Sequence, residues 1–228
     1  MPKGKFIVLE GTDGSGKGVQ FRRLIKKLKK EKKKIAIFDF PQYKSPSSYF
    51  VTEYLNGRYG SIDKNGPYKA SIYYAVDRFD ASFKIREAID KGKIVLANRY
   101  VGSNMGHQGA KIKTLSQRKK YFNWLYNLEF EIFNIPKPDL SILLHVPAQV
   151  AQKLVDNKKK EERAYLKGKK RDIHEIDLNH LKKAEKVYLE IVDLFPKEFK
   201  KISCMNGSIL LSKDDIAEKV WQVVRKKI

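Results

Sequence analysis

The run Gly11-Thr12-Asp13-Gly14-Ser15-Gly16-Lys17-Gly18 constrains this 228-residue chain more than any other part of it. An apolar, strand-like stretch, Phe6 to Leu9, leads into the run, and residues at helical spacing (Val19, Leu24, Ile25, Leu28) lead out of it. Strand, glycine loop and helix in that order, with Gly11, Gly16 and Lys17 in register, is the pattern of a phosphate-binding loop. Glycines let backbone N–H groups converge on phosphate oxygens. The helix N-terminus adds a partial positive charge and Lys17 a full one. The contacts expected for a bound phosphate chain are therefore Gly11, Gly14, Ser15, Gly16, Lys17 and Gly18. The pattern departs at one place. Ser or Thr normally follows the lysine and lends its hydroxyl to magnesium, but Gly18 and then Val19 stand here.

The rest of the chain repeats the strand–helix alternation. Apolar runs at Ile35 to Phe38, Ile94 to Ala97 and Leu140 to Val146 read as strands, with a weaker fifth near Ile202 to Met205. Helical spacing marks Tyr68 to Ile89, Leu115 to Phe133, Leu178 to Leu194 and Asp214 to Val224. Strands that are apolar almost throughout, separated by helices, predict a parallel sheet buried on both faces. No internal repeat or linker divides residues 1–228, so one α/β domain is expected. Asn157 to Arg171, NKKKEERAYLKGKKR, fits no core element. It reads either as a solvated stretch or, beside a phosphate loop, as a mobile lid over about residues 156–172.

Charge narrows the partner without naming it. The chain carries 48 basic and 26 acidic residues, a net +22. That excess suits any polyanion, whether nucleic acid, membrane surface or small substrate. Only ten of the 48 are arginine, the residue whose planar fork reads phosphates and bases, so the surplus is weak support for nucleic-acid readout. Cys204 is the only cysteine, which excludes an intrachain disulfide and a cysteine-built zinc site. No apolar run approaches the roughly 20 residues that span a bilayer, and Met-Pro-Lys-Gly-Lys lacks the features of a signal peptide. A cytoplasmic location is expected, with no membrane partner.

Beyond the loop, six strings occur in order: LEGTDGSGKG, FPQY, YAVDR, NRYVGSNMGHQ, PDLSILLHVP and RDIHEIDLNHLKKAEKVYLEI. Together, from about Phe6 to Ile191, they resemble the thymidylate kinase family of P-loop nucleoside monophosphate kinases. The resemblance implies a three-layer fold, with a five-stranded parallel sheet flanked by helices and a lid. It implies transfer of the ATP γ-phosphoryl group to dTMP, with Mg2+ as cofactor and a homodimer as the assembly. Phe79, Phe83, Phe122 and Trp124 are open to an interface or a core role. The residues expected around dTMP are Asp13 near the sugar, Pro41 and Tyr43 in the FPQY turn, Tyr74 stacking on the base, and Arg78 bonding it. Arg99 is expected on the phosphate, with Ser103, Asn104 and Gln108 along the base edge and sugar. Gly14 stands where some relatives carry a basic residue in the loop. The catalytic cations expected are then Lys17, Arg99 and a lid arginine, Arg171 ahead of Arg163.

Three departures cluster where the metal should sit. Gly18 replaces a hydroxyl, Asn98 replaces the acid of an Asp-Arg pair, and His145 replaces an acid at a strand end. Magnesium prefers hard oxygen ligands, so Asp13 and Glu10 become the expected metal contacts. The departures leave room for a weak or inactive nucleotide-binding protein. The glycine after Lys17, also seen in adenylate kinases, leaves room for a kinase of another nucleoside monophosphate. The net charge alone supports a basic nucleic-acid-binding P-loop protein.

Overall fold

The computed structural model describes residues 3–156 and 178–228, without the side chains of residues 62, 63 and 156. Five parallel strands form its centre: β1 (Lys5–Glu10), β2 (Ile35–Asp39), β3 (Ile94–Asn98), β4 (Leu140–His145) and β5 (Phe199–Ser203), in the order β2-β3-β1-β4-β5. Alternate residues of β1 face opposite ways, as the strand period requires. Phe6 and Val8 enter one hydrophobic cluster, Ile7 and Leu9 the other. α1 (Lys17–Lys30) and α8 (Lys213–Val224) cover the second face with Phe21, Leu24, Leu28, Ile216, Val220 and Val224. α3 (Ile62–Asp90), α4 (Val101–Gly109), α5 (Leu115–Tyr126) and α7 (Leu178–Leu194) cover the first. The result is the expected three-layer α/β arrangement.

The fifth strand begins earlier than its apolar signal. Phe199 and Ile202 are buried, but Lys200 and Lys201 between them are exposed and hid the run. The chain then turns into a small hairpin, β6 (Met205–Asn206) with β7 (Ile209–Leu210). α3 is interrupted at Gly66 (φ 63°, ψ 173°), and Pro67 restarts it, where a missing N–H costs nothing at a helix's first position. α5 runs on into one wide turn, Asn127–Ile132, so the predicted helix to Phe133 is present but changes winding.

Three short helices were not predicted: α2 (Tyr49–Leu55), α4 and α6 (Ala148–Asp156). α4 reads VGSNMGHQG, poor in helix formers. Its glycines answer packing instead. A Cβ on Gly106 would lie 2.5 Å from the Tyr188 ring on α7. The proposed lid, with Arg163 and Arg171, lies outside the described residues.

Candidate functional site

The phosphate loop crosses from the end of β1 to α1. Gly16 takes a left-handed conformation (φ 80°) at the helix N-cap, and no side chain caps that end. The first N–H groups of α1 thus point into an open cavity lined by residues 13–20, Arg22, Leu210, Leu211 and Ile216, as an anion site requires. Gly14 (φ 81°) passes so close to α6 that a Cβ would lie 2.0 Å from the Ala151 carbonyl oxygen. Lys17 is buried and its Nζ donates to the Thr12 carbonyl at 2.7 Å, which folds its charge back over the loop.

A second cavity opens beyond the carboxyl ends of β2 and β3, where open α/β sheets receive ligands. It is lined by Asp13, Asp39, Pro41, Tyr43, Tyr74, Arg78, Asn98, Arg99, Ser103, Asn104, His107 and Gln108, among others. All nine residues expected around the acceptor are therefore among its walls. Asp13, Asn98 and Arg99 line both cavities and form the seam between them.

Arg99 is the hub of that seam. Its backbone is left-handed (φ 66°), uncommon for a residue with a Cβ. Nη2 pairs with Asp13. Nη1 lies 3.3 Å from the Gly11 carbonyl, 3.2 Å from Ser103 Oγ and 3.2 Å from His107 Nε2. Burial by itself would lower the Arg99 pKa, but Asp13, with Tyr188, Glu10 and Tyr43, raises it overall. The same burial, with Arg99 alongside, holds His107 well below the usual histidine range, so His107 faces the cavity as a neutral ring.

Glu10 is fully buried. Oε1 accepts from the backbone N–H groups of Tyr100 (2.8 Å) and Ser103 (3.1 Å), and Oε2 from Ser103 Oγ (2.6 Å). It caps the entry to α4 and fixes Ser103. Burial raises its pKa, and the Ser103 bond and Arg99 oppose that rise. Its oxygens are so engaged, and Glu10 is not among the residues lining either cavity.

Arg78 is also buried, and its Nε and Nη2 form a two-pronged pair with Glu129, the Nε bond being 2.8 Å. The wide turn after α5 delivers Glu129 to this place. Tyr74, one turn before Arg78 on α3, meets Tyr54 edge-on. Phe40-Pro41 is a cis peptide, and Asp77 holds the turn after it: Gln42 N donates to Oδ2 at 2.9 Å and Ser47 Oγ to Oδ1 at 2.7 Å. Gln108 is buried with its Oε1 lacking a hydrogen-bond partner among the described residues.

Both sequence departures at strand ends acquire an acidic neighbour. Asn98 Nδ2 donates to Asp39 Oδ1 at 2.8 Å. His145 Nε2 lies 2.8 Å from Glu185 Oε1, while Glu185 Oε2 accepts from the Ala148 N–H at the start of α6. Asp39, Asp77, Glu129 and Glu185 were not singled out from sequence. Asp77 sits inside YAVDR and Glu185 inside RDIHEIDLNHLKKAEKVYLEI, so their motifs were signals; Asp39 and Glu129 act across tertiary contacts of 59 and 51 residues in sequence.

A family model described as Thymidylate kinase matches residues 9–216. The chain is 30% identical over 218 residues to the thymidylate kinase of Thermoanaerobacter sp. (strain X514), covering 94% of this chain and 96% of that one. It is 27% identical over 186 residues to the thymidylate kinase of Mycobacterium tuberculosis (strain CDC 1551 / Oshkosh), covering 81% and 84%. Among solved structures, thymidylate kinase from Candida albicans superposes with a TM-score of 0.73 at 19% identity, over 98% of this chain and 92% of that chain. At that identity the superposition speaks to the fold.

Proposed function

The chain belongs to the thymidylate kinase family, and we propose that it transfers the γ-phosphoryl group of ATP to dTMP, giving dTDP and ADP for dTTP synthesis. The observation that carries this reading is the seam. Asp13, Asn98 and Arg99 belong to both cavities, so a donor on the phosphate loop and an acceptor beside Arg99 bring their phosphates to one place. A phosphate oxygen of dTMP attacks the γ-phosphorus, the bond to the β,γ-bridging oxygen breaks, and ADP leaves. Catalysis of such a transfer is positioning and charge stabilisation.

The roles follow the chemistry of each group. The N–H groups at the start of α1 and Lys17 take the ATP phosphates. Arg99, already fixed by Asp13 and Ser103, clamps the dTMP phosphate with a planar fork. Tyr74 offers its ring face to thymine. Arg78 spends Nε and Nη2 on Glu129, which leaves Nη1 for the base. Asn104 and Gln108 supply amides for the base edge and the sugar. An arginine of the lid, Arg171 or Arg163, completes the charge. Glu10 positions Ser103 and α4 rather than holding metal.

The residues present fit magnesium. Asp13 gives a hard carboxylate at the seam, and Ser15 Oγ is buried without a hydrogen-bond partner among the described residues. When bound, the ion neutralises phosphate charge as a Lewis acid. We also place the chain in the cytoplasm; no helix among the described residues is long and apolar enough to cross a membrane. The assembly we infer is a homodimer through α3, whose Ile72, Val76, Phe79 and Phe83 are all at least 36% exposed on one face.

The test is a coupled ADP-release assay with dTMP, dUMP, CMP and AMP as acceptors over a magnesium titration. dTMP should give the highest kcat/KM. Preference for AMP would make the chain a kinase of another monophosphate. Nucleotide binding without turnover at any magnesium level would make it a binding protein.

A further inference from the structure

Both cavities open at the carboxyl ends of the strands, and lysine gathers at the opposite pole. α1 leaves the phosphate loop at Lys17 and ends at Lys30, and β2, parallel to its neighbours, starts at Ile35. The helix therefore runs back to the strands' amino ends. Its last turn and the link to β2 read KKEKKK over residues 29–34, every one of them exposed. α8 lies alongside α1 and points the same way: Gln20 donates to the Lys213 carbonyl, Arg23 pairs with Asp214, and Lys27 sits over the Trp221 ring. Its exit, the exposed run Arg225-Lys226-Lys227, thus reaches the same end. Lys93 joins them, because the next residue, Ile94, donates its N–H to the Lys34 carbonyl at 2.9 Å.

Helix stability explains part of this cluster. Lysines in a last turn are favoured by the helix dipole, which covers Lys29 and Lys30. Lys32, Lys33 and Lys34 lie beyond the helix, where that effect falls away. Glu31, the one acid of the run, is taken by Lys27. None of the run's five lysines, and none of residues 225–227, forms an ion pair among the described residues. Like charges held this close destabilise one another, and a bound polyanion reverses the sign of that term.

We propose that this pole binds the phosphate backbone of nucleic acid without reading its sequence. Backbone contacts need point charges, which lysine supplies, whereas reading bases favours the forked guanidinium. An anionic membrane is the other extended polyanion, but stable attachment there takes a second, apolar signal. No large apolar side chain is exposed within residues 29–34 or 225–227. Because the pole lies at the far end of the sheet from both cavities, nucleic acid held there leaves them open, and the enzyme turns over while bound. The surface itself does not depend on which acceptor the cavity takes.

The probe is a fluorescein-labelled DNA duplex of mixed sequence, titrated with the full-length protein over about 50 to 200 mM salt, where the logarithm of affinity should fall linearly with the logarithm of salt. Lys32→Gln, Lys33→Gln and Lys34→Gln together should weaken binding by roughly tenfold or more and flatten that slope by about 2 to 3. Arg225→Gln, Lys226→Gln and Lys227→Gln together should do the same from the other segment. The control removes equal charge from the exposed Lys182, Lys183 and Lys186 of α7, beside the β4 end where Glu185 meets His145. Changed to Gln, these three should alter affinity by less than about threefold. Equal weakening by the control and the pole variants would overturn the proposal, since the attraction would then be diffuse. No binding by the starting protein at about 50 mM salt would overturn it too. Tighter binding to phosphatidylserine vesicles than to the duplex would give the pole to membranes instead. ADP release measured with saturating duplex should keep its kcat/KM; a fall would place the nucleic acid in the cavities. Absence of turnover without DNA would sink the kinase reading alone, because the titrations need none.

Discussion

Arg99 holds a left-handed backbone and four polar neighbours at once, so a shorter or differently shaped cation cannot reproduce its contacts. Lysine keeps the charge but has no planar fork. Arg99→Lys should lower kcat/KM for dTMP by about 10²- to 10³-fold, with circular dichroism unchanged; a loss under tenfold would remove Arg99 from the phosphate clamp. Glu129 belongs to the same scale. It is fully buried against Arg78, and removing one partner of a buried pair typically costs about 3–5 kcal/mol. Glu129→Gln should lose stability of that order in urea unfolding and raise the KM for dTMP more than it lowers kcat. His107 gives a pH signature. Its folded pKa lies below its unfolded value, so the folded state binds fewer protons at acid pH. Its contribution is whole above about pH 6.5, the unfolded value, and is lost as pH falls towards the folded pKa. Unfolding free energy should therefore drop below about pH 6.5, and His107→Gln should flatten that part of the curve. Arg99 and Lys17 were legible because their motifs place them on the chain. Glu129 and Asp39 were not, because nothing local marks an acid whose partner arrives from another strand or helix.

Elements were legible where burial follows a period. β1, β3 and β4 are apolar over most of their length because both faces are covered, and α7 shows a helical apolar stripe. α4 escaped because three of its nine residues are glycine, which lowers local helix propensity. Its helix exists through tertiary contacts: Glu10 accepts hydrogen bonds at its N-terminus, and Tyr188 lies against Gly106. The glycine is thus a packing residue that doubles as a geometric constraint on the site, since Ser103, Asn104, His107 and Gln108 all ride on α4. Gly106→Ala would push the Tyr188 ring, whose nearest atoms would stand 2.5, 2.6 and 2.8 Å from the new Cβ. Overpacking of this kind costs about 1–3 kcal/mol. Thermal unfolding should show that loss despite alanine's better helix propensity, and dTMP affinity should fall with it. A more stable Gly106→Ala protein would mean that α4 and α7 have slack.

At the scale of the whole molecule, charge and exposed apolar surface give different information. The +22 pointed to an anionic partner, and among the described residues the two cavities are lined by few of those cations, Lys17, Arg78 and Arg99 being the buried ones. The apolar surface is more specific. Ile72, Val76, Phe79 and Phe83 recur at spacings of four, three and four along α3 and so share one face. Phe83 is 63% exposed, and Ile132, from the turn after α5, is 65% exposed. Phe79 packs edge-on against Phe83 at 5.3 Å and at a tilt against Phe133 at 5.1 Å, which orders the patch. Of the four aromatics weighed from sequence, Phe122 is buried and Trp124 half-buried, packed against Tyr121 and Tyr68; helical spacing alone could not sort them from Phe79 and Phe83. A two-fold interface is self-complementary, and a long apolar helix face can serve both copies. α3 also carries Tyr74 and Arg78, so pairing along it would stiffen the wall of the acceptor cavity in both subunits. Phe83→Asp places a charge at the most exposed of those four residues. Sedimentation equilibrium should find the starting protein at twice the 26.5 kDa chain mass and the variant at one chain mass. The variant should also show a raised KM for dTMP with little change for ATP, since α3 lends residues to the acceptor cavity and none to the phosphate-loop cavity. A starting protein that sediments as a monomer would reassign the patch, and an unaltered dTMP KM in a monomeric variant would uncouple the interface from the site.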